Sequence, residues 1–229
     1  MDIDHQPARI IFPKKHRPKG LEFPACQRCN KQIGRDEVLL ALICRLTGSH
    51  RPHAPKDFGR LGKIRKGVER GFPGLLKRIS TTIWVWQNGV LVRTGAFNLD
   101  HDIVYESMCR MAARIALATY YTERGKIADP DTVINCMWSH AQHQAAPSID
   151  ALLAKFPKHA ALKQGKWNTT DSFYVKWYAD DDALTCAAVF HESVAVMAAV
   201  YDSRTAFGNR ERWHALMAPS RAGGIIAIP

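Results

Sequence analysis

Apolar positions along the chain change period several times, and each change predicts an element. Residues 1–35 are rich in Pro, Lys and Arg and carry few periodic apolar positions. They are predicted to be irregular or short-stranded, with Cys26-Gln27-Arg28-Cys29 in a tight turn. From Asp36 the pattern becomes helical. Asp36 and Glu37 suit a helix start by opposing its dipole, and Val38, Leu39, Leu42, Ile43 and Leu46 fall on one face. Gly48 and Pro52 end it, and residues 49–60 read as a loop. Residues 61–79 read as a helix interrupted at 71–74, because Pro73 cannot continue the hydrogen-bond ladder.

Residues 83–87 and 90–94 alternate around Asn88-Gly89, the strongest short signal for a β-hairpin. Trp84 and Trp86 are two apart and so share one side of that strand. Core or sheet-covering duty is the expectation for them, with stacking on nucleobases as the alternative. The clearest helix spans 101–123, where Val104, Met108, Met111, Ile115 and Ala118 recur at helical spacing and Gly125 follows as a stop. A shorter helix is expected over 149–163, broken near Pro157. His140 and His143, three apart, read as a polar helix face. Residues 173–178, 183–190 and 194–201 read as three strands, with turns at 180–182 and 191–193. A meander of this kind needs cover on its apolar face, and the 101–123 helix supplies it.

These elements predict an α+β fold in three parts. An N-terminal ββα-metal-like finger module occupies residues 1–50, and a basic helical connector occupies 51–79. A body over 80–229 packs a helix on an antiparallel sheet.

Charge changes the picture. Residues 1–79 hold 18 Lys and Arg against 7 Asp and Glu, whereas residues 80–229 hold 14 against 14. The whole net charge of +11 therefore lies in the first third. A concentrated cationic field attracts polyanions, nucleic acid first among them. A merely soluble basic surface, or an anionic membrane partner, is the plain alternative. The hydrophobic content of 46% is that of an ordinary globular protein and excludes a disordered or fibrous chain. No apolar run is long enough to cross a bilayer, and the polar start does not read as a signal peptide. A cytoplasmic protein with no membrane partner is expected. Its six cysteines should then be thiols, and only Cys26 and Cys29 have a spacing that suggests chemistry. No phosphate-binding loop is present.

Three features crowd the N-terminus: Asp4-His5-Gln6-Pro7, a basic spacer, and Pro24-Ala25-Cys26-Gln27-Arg28-Cys29-Asn30. Taken by themselves, His5 is either a loose terminal histidine or a general base, and the Cys pair is either a metal knuckle or a turn with two free thiols. Asn30 is equally suited to capping a helix or turn. Together, over residues 4–40, they resemble the HNH endonuclease superfamily, whose small members begin with an acidic-His-x-Pro element and carry a Pro-x-Cys-x-x-Cys-Asn turn.

The resemblance implies a metal-dependent DNA endonuclease. Its His5 would be the general base that activates water against a phosphodiester. Asp4 and Asn30 would be oxygen ligands to a hard divalent cation, magnesium or manganese. Arg9, Lys14, Lys15, Arg17, Lys19 and Arg28 would contact DNA, or RNA, through its phosphates. Zinc is a further possible cofactor on Cys26 and Cys29. The family's earlier Cys-x-x-Cys does not stand ahead of Asp4, so the pair would need substitutes such as His16 or Cys44, or would bind no metal. The family's middle Asn, which orients the base, falls near Gly20. The alternative reading is a non-catalytic nucleic-acid-binding protein that retains a degenerate HNH finger.

Overall fold

The computed structural model describes residues 2–12, 17–47, 55–140, 154, 156–160, 163–164, 167–168, 172–203 and 225–227. Two short strands open it. β1 (Asp2–Gln6) pairs antiparallel with β2 (Leu21–Ala25), and a 3-10 turn at Arg9–Ile11 lies between them. Three helices follow: α1 (Gln27–Thr47), α2 (Pro55–Gly71) and α3 (Leu75–Ile79). The hairpin β3 (Ser80–Gln87) and β4 (Val90–Asn98) leads into α4 (Asp102–Arg124) and β5 (Val133–His140). The short strands β6 (Lys158–Ala160), β7 (Lys163–Gln164) and β8 (Trp167–Asn168) precede β9 (Phe173–Ala179), β10 (Ala183–Phe190) and β11 (Val194–Tyr201). β12 (Ile225–Ala227) comes last.

The architecture is α+β, as expected. A five-stranded antiparallel sheet has the order β5-β11-β10-β9-β6, and β12-β4-β3 form a second, three-stranded sheet. Every residue of β10 and β11 is buried, so the central strands are covered on both faces. One cover is α4, which lies across β5, β10 and β11 and touches α1 and β2 on its other side. The main core is continuous. It takes Phe12 and Phe23 from the N-terminal segment, Leu39 to Leu46 from α1, Val68 from α2, Met108 to Ala118 from α4, and Phe173, Phe190 and Val196 from the sheet. The first strands are thus built onto the body: Phe12 meets the Phe173 ring edge-on, with centroids 6.3 Å apart, and His191 Nε2 lies 3.2 Å from the Ile11 carbonyl.

Local chemistry accounts for most boundaries. Helix α4 is capped by His101, whose Nδ1 accepts from the Ile103 N–H at 3.2 Å, and it stops at Gly125 with φ +68°. The hairpin turn uses Asn88 and Gly89, both at positive φ, the conformation a two-residue type I′ turn requires. Asp180 Oδ1 accepts from the N–H groups of Asp182 and Ala183 and closes the β9–β10 turn. The break between α2 and α3 falls at Phe72–Gly74 around Pro73.

Other expectations fail for identifiable reasons. Helix α1 begins nine residues before Asp36. Its first turns are polar, apart from buried Ile33, so they show no apolar period. Asp36 is therefore an interior helix residue, not a helix start. It is 1% exposed and paired with Arg110. Helix α2 starts at Pro55, inside the expected 49–60 loop, which suits proline's fitness for a first helical turn. Residues 158–160 and 163–164 are strand, not helix. β5 was not foreseen, and His140 lies buried on it, whereas His143 falls outside the described residues. Trp84 and Trp86 are 63% and 75% exposed and cover nothing. β3 is an edge strand, and burial in its hairpin is confined to Ala96 and Phe97 at the base.

Candidate functional site

Alternation along β1 decides how the N-terminal residues are used. Successive side chains on a strand point to opposite faces. Asp4 and Gln6 are buried, and Ile3 and His5 are exposed. Adjacent in sequence, Asp4 and His5 are consequently parted by the strand itself.

On the outer face, the β1–β2 register sets His5 opposite Glu22. His5 Nδ1 lies 2.9 Å from Glu22 Oε1, with both side chains about half exposed. A carboxylate at Nδ1 holds the proton on that nitrogen and leaves Nε2 as an acceptor, the arrangement a general base needs. Arg17 reaches back over this end of β1. Its Nε donates to the Pro7 carbonyl and a terminal nitrogen donates to the His5 carbonyl, each at 3.1 Å. The Gln6–Pro7 peptide between them is cis. A cleft of about 200 Å³ opens here, lined by His5, Arg17, Lys19 and Glu22 among others. The cleft brings together the Arg17 guanidinium, the exposed Lys19 ammonium, the His5 imidazole and the Glu22 carboxylate.

On the inner face, Asp4 meets α4. Arg114 lies 3.2 Å from Asp4 Oδ2 and also sits over the Phe23 ring, 5.7 Å from its centroid. Gln6 Nε2 donates to Asp4 Oδ1 at 3.1 Å. Behind this pair, Arg110 grips Asp36 in a two-pronged ion pair, both contacts 2.9 Å, and donates to Ser107 Oγ at 3.1 Å. Glu37 completes the cluster. Burial, then the neighbouring Asp4 carboxylate, pushes its pKa up to about 7 against the opposing pull of Arg17 and Arg114. Neighbouring carboxylates, here buried Asp4 and half-buried Glu37, resist joint ionisation.

His5 is exposed and joined to Glu22. Asp4 is buried and joined to Arg114. Asn30 lies half-buried in the first turn of α1, where its N–H bonds the Cys26 carbonyl at 2.9 Å. The structure brings His5 and Asp4 to opposite sides of the hairpin. Asp4 Oδ1 accepts from Gln6 and Oδ2 is ion-paired with Arg114, a neighbour whose positive charge disfavours a divalent cation on the same carboxylate. Among the described residues no three His, Cys, Asp or Glu side chains converge as a metal site. Cys26 is exposed at the β2–α1 junction. The side chain of Cys29 and the whole of Lys14, Lys15 and His16 lie outside what is described. Cys44 is fully buried, and its thiol pKa is raised by that burial. Arg9, Lys19 and Arg28 are exposed, and Arg17 is half-buried. Sequence reasoning missed Glu22, because only the strand register sets it beside His5. No helix among the described residues is long and apolar enough to cross a membrane.

Comparison with protein-family models, with characterised proteins and with solved structures finds no match to this chain.

Proposed function

We propose that this chain is an HNH-like endonuclease that hydrolyses DNA phosphodiester bonds, with His5 as the general base. The observation that carries the reading is the His5–Glu22 pair in a cleft rimmed by Arg17 and Lys19. His5 Nε2 takes a proton from water, the resulting hydroxide attacks phosphorus, the bond from phosphorus to one ester oxygen breaks, and that oxygen leaves with a proton taken from solvent water. Glu22 holds the tautomer and stabilises the imidazolium that forms. Arg17 and Lys19, with Arg9 and Arg28 outside the cleft, hold phosphates and add no sequence preference of their own. The resemblance to HNH enzymes adds a requirement for magnesium or manganese. Asp4 is ion-paired with Arg114, and the proton transfer is carried by His5.

The Asp4–Arg114 pairing favours a second reading, a nucleic-acid-binding protein that retains a degenerate finger. Nicking of supercoiled plasmid decides between the two. The enzyme nicks with magnesium or manganese and stops with a chelator. His5→Ala lowers the rate by about 100-fold or more, the usual contribution of a general base, and Glu22→Gln lowers it by roughly 10-fold, as expected for an orienting partner. Salt-sensitive DNA binding without cleavage establishes the second reading, and absence of both overturns the two together.

A further inference from the structure

The β3–β4 hairpin leaves its indoles in water. Trp84 is 63% exposed, Trp86 75% and Leu91 47%. Trp84 lies opposite Arg93, and Trp86 opposite Leu91. Directly paired residues share a face of an antiparallel ladder, as do residues two apart on one strand. The two indoles, Arg93 and Leu91 therefore form one continuous face. It belongs to a different sheet from His5 and Glu22.

Neighbouring indoles left in water forfeit a large hydrophobic gain, and such a patch usually marks a contact surface. Charge indicates the kind of contact. From Arg70 to Leu99 the sequence has no acidic residue, while Arg70, Lys77, Arg78 and Arg93 all lie in that stretch and are all exposed. Lys77 and Arg78 end α3, which runs without a break into β3. A face with two indoles and an adjacent guanidinium, on strands β3 and β4 that carry no Asp or Glu, complements a ligand that is both aromatic and anionic. Unpaired nucleobases on a phosphodiester chain have this character, since every base offers a π face and every linkage a negative charge. A duplex hides its base faces. An apolar protein partner would account for the indoles but not for the missing acids.

We propose that Trp84, Trp86 and Arg93 form a stacking platform for single-stranded DNA. The inference rests on the nucleic-acid reading above. It is tested by fluorescence anisotropy of a labelled oligothymidylate with the full-length chain. Trp84→Ala/Trp86→Ala should weaken binding by about tenfold or more, the scale of lost base stacking. Trp84→Phe/Trp86→Phe, which keeps the rings, should stay within about threefold of the wild type on the same scale. Matching thermal unfolding of the three proteins establishes that the fold is intact.

Equal binding by the alanine variant overturns the platform, as does tighter binding of the equivalent RNA. A wild-type dimer that the alanine variant converts to monomer, seen by light scattering, also overturns it and assigns the face to self-association. Plasmid nicking by a wild type that ignores the oligothymidylate removes the platform and leaves the endonuclease. Oligothymidylate binding without nicking does the reverse.

Discussion

Glu37 shows how much of this protein depends on where single side chains are sent. Asp36 and Glu37 look in sequence like charges at a helix start, yet both lie inside α1, Asp36 buried and Glu37 half-buried. Asp36 meets a partner of matching geometry in Arg110. Glu37 instead shares its surroundings with Asp4, and its pKa rises from an ordinary 4.5 to about 7. The raised value fixes the sign of its linkage to folding. The folded state holds the Glu37 proton more tightly than the unfolded chain, so its contribution is fully present below about pH 4.5. It is lost as pH rises through about 7. Glu37→Gln should therefore stabilise the protein at pH 8 by on the order of 1–3 kcal/mol and leave it unchanged at pH 4. Urea unfolding at the two pH values checks this, and an equal shift at both would disprove the linkage. At the same scale, Arg114 holds Asp4 on the face that His5 does not occupy.

Between elements, the close approach of α1 and α2 depends on two glycines one turn apart. A Cβ at Gly67 would stand 2.9 Å from Val38 Cγ1, and one at Gly71 would stand 2.9 Å from Arg35 Cβ. The absent side chains let the helices pack backbone to side chain, with Ile64 and Val68 buried and Lys63, Arg65, Lys66 and Arg70 on the solvent side. Gly67→Val should cost roughly 2 kcal/mol through overpacking. Gly62 lies in the same helix with nothing within 4 Å of its virtual Cβ, so Gly62→Ala should gain up to about 1 kcal/mol from helix propensity. Opposite signs for the two substitutions in thermal unfolding would confirm that packing, not propensity, placed Gly67. If Gly67→Val proved neutral, the helices would have to be further apart than described.

For the whole molecule, the charge imbalance becomes a spatial one. The basic third of the sequence forms the β1–β2 hairpin and helices α1 to α3, while the neutral remainder forms α4 and the five-stranded sheet beneath. Arg9, Lys19, Arg28 and Lys31 are exposed on the first part, and the solvent side of α2 adds four more cations. Binding to duplex DNA should weaken steeply with salt as counterions are released, with a log–log slope of about 0.9 per phosphate contact. Lys63→Gln/Lys66→Gln should reduce that slope by about 2 if both residues face the duplex. Filter-binding isotherms across a salt series measure it. An unchanged slope would place the DNA elsewhere on the molecule.

What the sequence alone determined were the features that depend on near neighbours. The Asn88-Gly89 hairpin, the run of α4 up to Gly125, the break at Pro73 and the three strands from Phe173 to Tyr201 each follow from turn chemistry or apolar period over a short window. The α+β class follows from them. Tertiary structure alone decided which groups meet. β5 and the polar first turns of α1 carry little periodic signal and form because the rest of the fold receives them. Glu22 reaches His5 through a strand register, and Asp4 is taken from it by a helix more than a hundred residues away. Trp84 and Trp86 have the pattern of buried residues, yet they stand on the outer part of the β3–β4 hairpin, where Val90, Leu91 and Val92 of β4 are exposed as well. Period and turn signals report a residue's own element, whereas pairing, burial and exposure depend on what that element packs against, and nothing within a short window of sequence specifies that.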